Sequence, residues 1–242
     1  MNKNILLLVY FCGLGSIGYG QNFLGLLQSG SQTVSAGVNA APHLNMNFDY
    51  LFAFEQKQGT LQRWGVLTQI HFPLFSQKDW DFDLRIGAGA LLSFSNHLKT
   101  IAGLSWNLSR TADLNGRYFH SGWKIDVFPG YYGSKWVCAP HLSLNYQPFL
   151  HIKHSEYAKQ AFQDLYPQNS GRFTSPKDGW FTSPNLILQT GIGVAYFQPR
   201  WRLDLTAGFQ YQPNRFGLIN LPDIGILPFY GGLNFGYSIA QK

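Results

Sequence analysis

An all-β chain folded as a transmembrane, antiparallel, up-and-down barrel is what this sequence predicts, and three observations predict it. From Trp80 to Phe94 every even position is apolar (Trp80, Phe82, Leu84, Ile86, Ala88, Ala90, Leu92, Phe94), while the odd positions include Asp81, Asp83, Arg85, Gly87 and Gly89. A period of two over that length describes a long strand with one greasy and one wet face. The same pattern recurs along almost the whole chain. It also follows an export leader, and no later segment approaches the roughly twenty continuous apolar residues of a membrane helix.

The leader occupies residues 1–20. Lys3 supplies the positive start, Ile5 to Ile17 form the apolar run, and Gly18-Tyr19-Gly20 offers small residues for cleavage before Gln21. About thirteen apolar residues are too few to stay behind as an anchor. Val9-Tyr10-Phe11 before Cys12 lacks the small residues that lipid-anchor processing needs. What remains is one domain, 21–242, with a single cysteine, Cys138, so no internal disulfide staples it.

Composition narrows the class further. Charged residues are 12% of the chain and aromatics 17%, about half and well above the usual shares respectively. The formal charge of +6 falls to +5 without Lys3. It gathers into no basic stripe, which argues against nucleic acid as a partner.

Ten strands are predicted. The first, Gln32 to Ala40, puts Val34, Ala36 and Val38 on one face. The second, His43 to Glu55, sets Leu44, Met46, Phe48, Tyr50, Phe52 and Phe54 against Asn45, Asn47 and Asp49. The third runs from Leu61 to Phe72, the fourth from Trp80 to Phe94, the fifth from Asn96 to Leu108. The sixth, Arg117 to Phe128, opposes Trp123, Ile125 and Val127 to Lys124 and Asp126. The seventh spans Trp136 to Gln147, the eighth Asn185 to Phe197, the ninth Trp201 to Tyr211 and the tenth Leu227 to Ile239.

The links between them alternate. Gln56 to Thr60, Ser95, Pro129 to Lys135 and Gln198 to Arg200 are short, whereas Pro148 to Pro184 and Gln212 to Ile226 are long. Short turns on one rim, long external loops on the other and an even strand count are the habit of outer-membrane barrels, with both termini periplasmic. Only Ala41-Pro42 is oddly short for an external loop, so eight strands is the alternative count.

A soluble sandwich or lipocalin-like barrel has the same period with its apolar face inward. Strand length argues against it, because soluble strands cluster near five or six residues and about nine to eleven cross a tilted bilayer. Aromatics also bracket the apolar stripes (Trp80 and Phe94, Trp64 and Phe72, Trp201 and Tyr211), as interface girdles do.

On these residues the chain resembles the small outer-membrane β-barrel proteins of Gram-negative bacteria, over nearly all of residues 21–242. Their last strand carries a recognition signal for the barrel-insertion machinery, and Tyr230, Gly232, Phe235 and Tyr237 stand at that spacing. The tail Ser238 to Lys242 departs from members that end on the aromatic itself. The resemblance implies outer-membrane lipid and the insertion machinery as partners, and it says nothing about activity.

Chemistry, if any, belongs to the inward face. Its charges are Asp49, Asp81, Asp83, Asp126 and Asp204 against Arg63, Arg85, Lys99, Lys124 and Arg202. Near balance in a narrow barrel predicts a cross-linked, filled lumen, whereas a selective pore would favour one sign. Mid-strand Gly87, Gly89, Gly191 and Gly193 lack the helix a nucleotide loop needs and make room for large inward partners. His71, Asp81, Asp83 and His120 near the loop rim are weak candidates for activating a water, without any motif match. His151, His154 and Glu156 fit no metal-site spacing, so neither metal nor cofactor is expected. In the long loop, Ser155 to Leu165 reads as a capped helix, followed by the doubled phrase Phe173-Thr174-Ser175-Pro176 and Phe181-Thr182-Ser183-Pro184. Such a loop predicts a lid that meets an unknown extracellular ligand or protein. The overall expectation is a monomeric barrel with a structural or surface-interaction role. A narrow pore and, behind it, a rim hydrolase are the alternatives.

Overall fold

A computed structural model describes residues 22–28, 31–40, 44–74, 82–112, 114–165, 177–211 and 229–240. The proposed leader, Asp81, residues 166–176 of the first long link and the whole of the second (212–226) lie outside them.

Ten strands close into one antiparallel barrel: β1 (Gln32–Ala40), β2 (Leu44–Gln58), β3 (Leu61–Pro73), β4 (Phe82–Ser93), β5 (Leu98–Ala112), β6 (Gly116–Tyr132), β7 (Trp136–His154), β8 (Gly179–Phe197), β9 (Trp201–Tyr211) and β10 (Phe229–Ala240). Each strand pairs with its chain neighbours, and β1 pairs with β10 to leave no edge. The first strand, the weakest in the sequence, is the one that closes the ring, through pairs such as Val34 with Tyr237 and Val38 with Leu233. Eight strands is therefore excluded.

Period two decides what each face meets. Along β9, Trp201, Leu203, Leu205, Ala207 and Phe209 are exposed while Arg202, Asp204 and Thr206 are buried. Ile86, Leu104, Ile125, Leu142, Ile192 and Phe235 continue the exposed apolar belt round the barrel. A belt of that extent is stable against hydrocarbon and not against water.

Several strands outgrow the prediction: β2 runs to Gln58, β5 to Ala112 and β6 to Tyr132, into the link placed at Pro129 to Lys135, and β7 and β8 extend the most. The link placed at Pro148 to Pro184 is shorter, because β7 continues to His154 and β8 begins at Gly179. A bulge explains the difference. The β7–β8 register slips between Gln147 and Phe149, and the β6–β7 register slips between Ser121 and Trp123. Below the slip the inward residues of β7 are odd-numbered (His141, Ser143, Asn145, Gln147); above it they are Leu150 and Ile152. A bulge adds one residue and reverses parity, so a reading in strict steps of two stops there. Pro148 and Pro184 fall in the skipped stretch, where the ladder has no pair for either. Phe181 and Thr182, from the second copy of the doubled phrase, belong to β8 and not to a loop.

The link itself carries α1 (Glu156–Leu165). Ser155 caps it: its Oγ accepts the N–H of Ala158 at 3.1 Å and donates to the carbonyl of Leu114 at 2.7 Å. Asp178, past the helix, accepts the His154 backbone N–H at 2.8 Å and meets the ring Nδ1 at 2.9 Å. Those two contacts hold the Asp178 carboxyl below the usual carboxylate range.

Candidate functional site

The lumen is the place where side chains of opposite chemistry converge, and its two ends differ. Toward the short-turn rim the inward positions of β2 and of β4 to β8 are apolar (Leu51, Ala53, Leu91, Ile101, Phe128, Tyr132, Val137, Ala139, Ala195), while β3 and β9 bring Arg63, Arg202 and Asp204 to the same end. Toward the long-loop rim the same strands turn polar, with Asn45, Asn47, Asp49, Gln69, His71, Asp83, Arg85, Asn107, Lys124, Asn145 and Gln189 all buried.

The apolar end is filled by the chain's own N-terminal segment. Asn22–Leu27 forms a 3-10 helix that packs inside the barrel against β2, β3, β4 and β5, with Phe23, Leu24 and Leu26 buried. Gly89 and Gly103 make this possible. A Cβ at Gly103 would stand 2.2 Å from the Phe23 ring, and one at Gly89 2.4 Å. The segment is tied at its far end by two guanidinium groups. Arg63 donates to the backbone carbonyls of Leu26, at 3.0 Å, and of Gln28, satisfying acceptors that a helix end leaves open. Arg202 donates to the Gln28 side-chain oxygen at 3.2 Å.

Around this plug the charges are cross-linked. Arg202 Nε reaches both oxygens of Asp204, at 2.8 and 3.1 Å. Lys124 pairs with Asp126 at 3.2 Å, and the same Asp126 oxygen meets His141 Nε2 at 3.2 Å. The other nitrogen of His141 bonds the Tyr230 hydroxyl at 2.7 Å, and Phe128 stacks on its ring at 4.5 Å. A hydrogen-bonded line thus runs from β6 through β7 to β10. A second line joins Asp83, Arg85 (3.8 Å), Asn107 (2.9 Å) and Asn145 (3.2 Å). A third joins Ser35, Asp49, Asn47 and Asn234.

The charged residues singled out in the sequence separate into several groups. Asp49, Asp83, Arg85, Lys124, Asp126, Arg202 and Asp204 are buried in the lumen wall. Arg63 is buried too, donates to the plug carbonyls and stands opposite Glu55 in the β2–β3 ladder. Lys99 is half-buried at the short-turn rim, away from the cluster. Asp81 lies outside the described residues. Of the hydrolytic candidates, the ladders put His71 opposite Asp83, Asp83 opposite Ser109 and Ser109 opposite His120, in one row across four strands. No hydrogen bond joins His71 to its neighbours in that row; both of its ring nitrogens are buried without a partner, as are both polar atoms of Gln69 and of Gln189. The insertion-signal residues divide by face: Tyr230 and Gly232 point inward, Phe235 and Tyr237 outward.

Sequence reasoning missed the plug. Asn22-Phe-Leu-Gly-Leu-Leu-Gln28 has no period of two and precedes the first strand, so it matched no template. The signal that was present is an apolar run, Phe23 to Leu27, placed directly after the proposed cleavage point and before the first strand.

A closed ten-stranded antiparallel barrel, apolar outside and polar within, is the architecture of the small outer-membrane β-barrel proteins. Among solved structures the chain is similar to the KdgM porin, at 9% identity and a TM-score of 0.32 over 86% of this chain and 99% of that one. No protein-family model and no curated protein matches it.

Proposed function

We propose that the protein is an integral outer-membrane barrel with a sealed lumen, its short turns and both termini in the periplasm, serving a structural or surface-interaction role rather than conduction. The observation that carries this reading is the N-terminal 3-10 helix, locked in the lumen by Phe23 between Gly89 and Gly103 and by Arg63 and Arg202 at its end. Burying Phe23, Leu24 and Leu26 contributes on the order of 5 kcal/mol, at roughly 1.5–3 kcal/mol per large apolar side chain. A seal of that strength stays closed on the timescale of conduction. The barrel closes without it, because the backbone ladders run from strand to strand and the plug is held by the side chains of Arg63 and Arg202.

Planar-bilayer recording tests this. The intact protein should stay at background conductance, and a variant lacking Asn22 to Gln28 should conduct while still shifting on gels after heating. Ion flow through the intact protein would overturn the sealed-lumen reading.

The pore alternative has one observation in its favour: the buried, unpartnered polar atoms of Gln69, His71 and Gln189 befit a hydrated chamber above the plug. Conduction by the intact protein is what it requires. The hydrolase alternative rests on the His71–Asp83–Ser109–His120 row. A hydrolysis lost on His71→Ala or Ser109→Ala would be its signature.

A further inference from the structure

On the outer face of the tall strands, at the long-loop rim, four side chains form one continuous row. Arg110 lies over the Phe119 ring at 5.8 Å, Phe119 meets His151 edge-on at 6.2 Å, and His151 meets Trp180 edge-on at 5.0 Å. The ladders that align them are Arg110 with Phe119, Phe119 with His151 and His151 with Trp180. On the next outward row Arg117 stands opposite Lys153, both exposed. Arg117 is two residues from Phe119 on the same face, which sets it diagonal to Arg110 at about 7–8 Å between backbones. Arg110 Nε is buried without a hydrogen-bond partner. Among the described residues these two rows carry no carboxylate, and the loop acids Asp178 and Glu156 are engaged by His154 and Lys159.

Height gives the patch its meaning. On β7 the exposed aromatics Trp136 and Tyr146 are ten residues apart, and ten residues of a strand tilted about 40° rise roughly 25 Å, the height of an outer-membrane apolar band. His151 then stands roughly 10 Å beyond Tyr146, above the hydrocarbon edge, where aromatic rings and cations meet headgroups. Cations on a lipid-facing surface at that level attract anionic headgroups, and the planar guanidinium forks of arginine match phosphate oxygens.

Resting on the membrane reading above, we propose that Arg110, Arg117 and Lys153, with the Phe119–His151–Trp180 row, bind the phosphorylated headgroup of a glycolipid in the surrounding leaflet. The cations take the phosphate, and Trp180, 69% exposed, and His151 lie against the sugar.

The test reconstitutes the full chain in phosphatidylcholine vesicles with a minor fraction of lipid A, and counts retained lipid by native mass spectrometry. The protein should retain lipid A in preference to phosphatidylcholine. Arg110→Gln/Arg117→Gln/Lys153→Gln should lose that preference by on the order of a hundredfold, and the exposed single change Lys153→Gln by about fivefold, one step per cation removed. The single variant keeps the test valid should the triple one fail to insert. Equal retention by wild type and Lys153→Gln, or full displacement of lipid A by soluble polyphosphate, would overturn the headgroup site. Failure of the wild type to float with vesicles at all would instead overturn the membrane reading, so the two failures are separable.

Discussion

The two ends of the lumen are built by the same strands and solve opposite problems. On β6, one inward position, Asp126, separates Lys124 from Phe128; on β4, Asp83 and Arg85 give way to Leu91. Near the short turns the wall meets a piece of its own chain, so its inward residues are those of a soluble core: large apolar groups, with glycine where Phe23 needs space. Toward the long loops the described part of the wall holds itself together through paired ions and amides, with a small apolar cluster of Tyr118, Leu150 and Ile152 at the rim. An apolar core tolerates truncation at a cost set by area. A buried ionic network tolerates it badly, because each deletion strands a charge.

The sharpest way to break this contrast is at Arg202, a buried charge set at the plugged end. It chelates Asp204 and also holds Gln28 of the plug. Arg202→Met should cost roughly 3–5 kcal/mol by leaving Asp204 uncompensated, whereas Arg202→Met with Asp204→Leu should recover most of that loss. Urea unfolding of refolded protein in micelles measures both. Equal losses in the single and double variants would mean that the plug contact, not the ion pair, is what Arg202 supplies.

The next effect lies across the wall. Ile86, 51% exposed on the outer face, neighbours the fully buried Arg85. Ile86→Arg should destabilise by roughly 2–4 kcal/mol if position 86 meets hydrocarbon near mid-bilayer. Arg85→Lys should be milder, since the charge opposite Asp83 survives although the guanidinium geometry toward Asn107 is lost. A harmless Ile86→Arg would mean that the exposed belt faces water.

Period two made the barrel legible residue by residue: β1 and β9 run over the residues the alternation marks, and the inward charges from Asp49 to Asp204 follow from strand parity. Three things escaped it, each for a physical reason. The tops of β7 and β8 were hidden by a bulge that reverses parity at Gln147–Phe149. The plug was hidden because a six-residue 3-10 helix has no period long enough to register. The polar-to-apolar gradient along the lumen needs the strands to be aligned first, since it is visible only when Leu51, Leu91, Ile101 and Phe128 are seen to share one end. The partners of His141 escaped for the same reason, because Tyr230 is brought to it by ring closure and not by nearness in sequence.

The last prediction changes no stability and asks which end of the lumen faces outward. Strand parity puts two crossings before the β2–β3 turn and seven before α1, so the two lie on opposite sides of the barrel. Gly59 in that turn has a φ of 60°, which a cysteine would strain, so its exposed neighbour Thr60 is the better probe. Cys138 is exposed and must first be changed to serine. In that background, Lys177→Cys should react with a membrane-impermeant maleimide on intact cells, and Thr60→Cys only after the outer membrane is opened. That result would put the polar, ion-paired end and the Trp180 row on the outer side and the plugged end toward the periplasm. The reverse labelling would invert the barrel. The plug would then guard the cell surface, and the Arg110–Trp180 row would face the phospholipids of the inner leaflet, leaving the glycolipid proposal without its ligand.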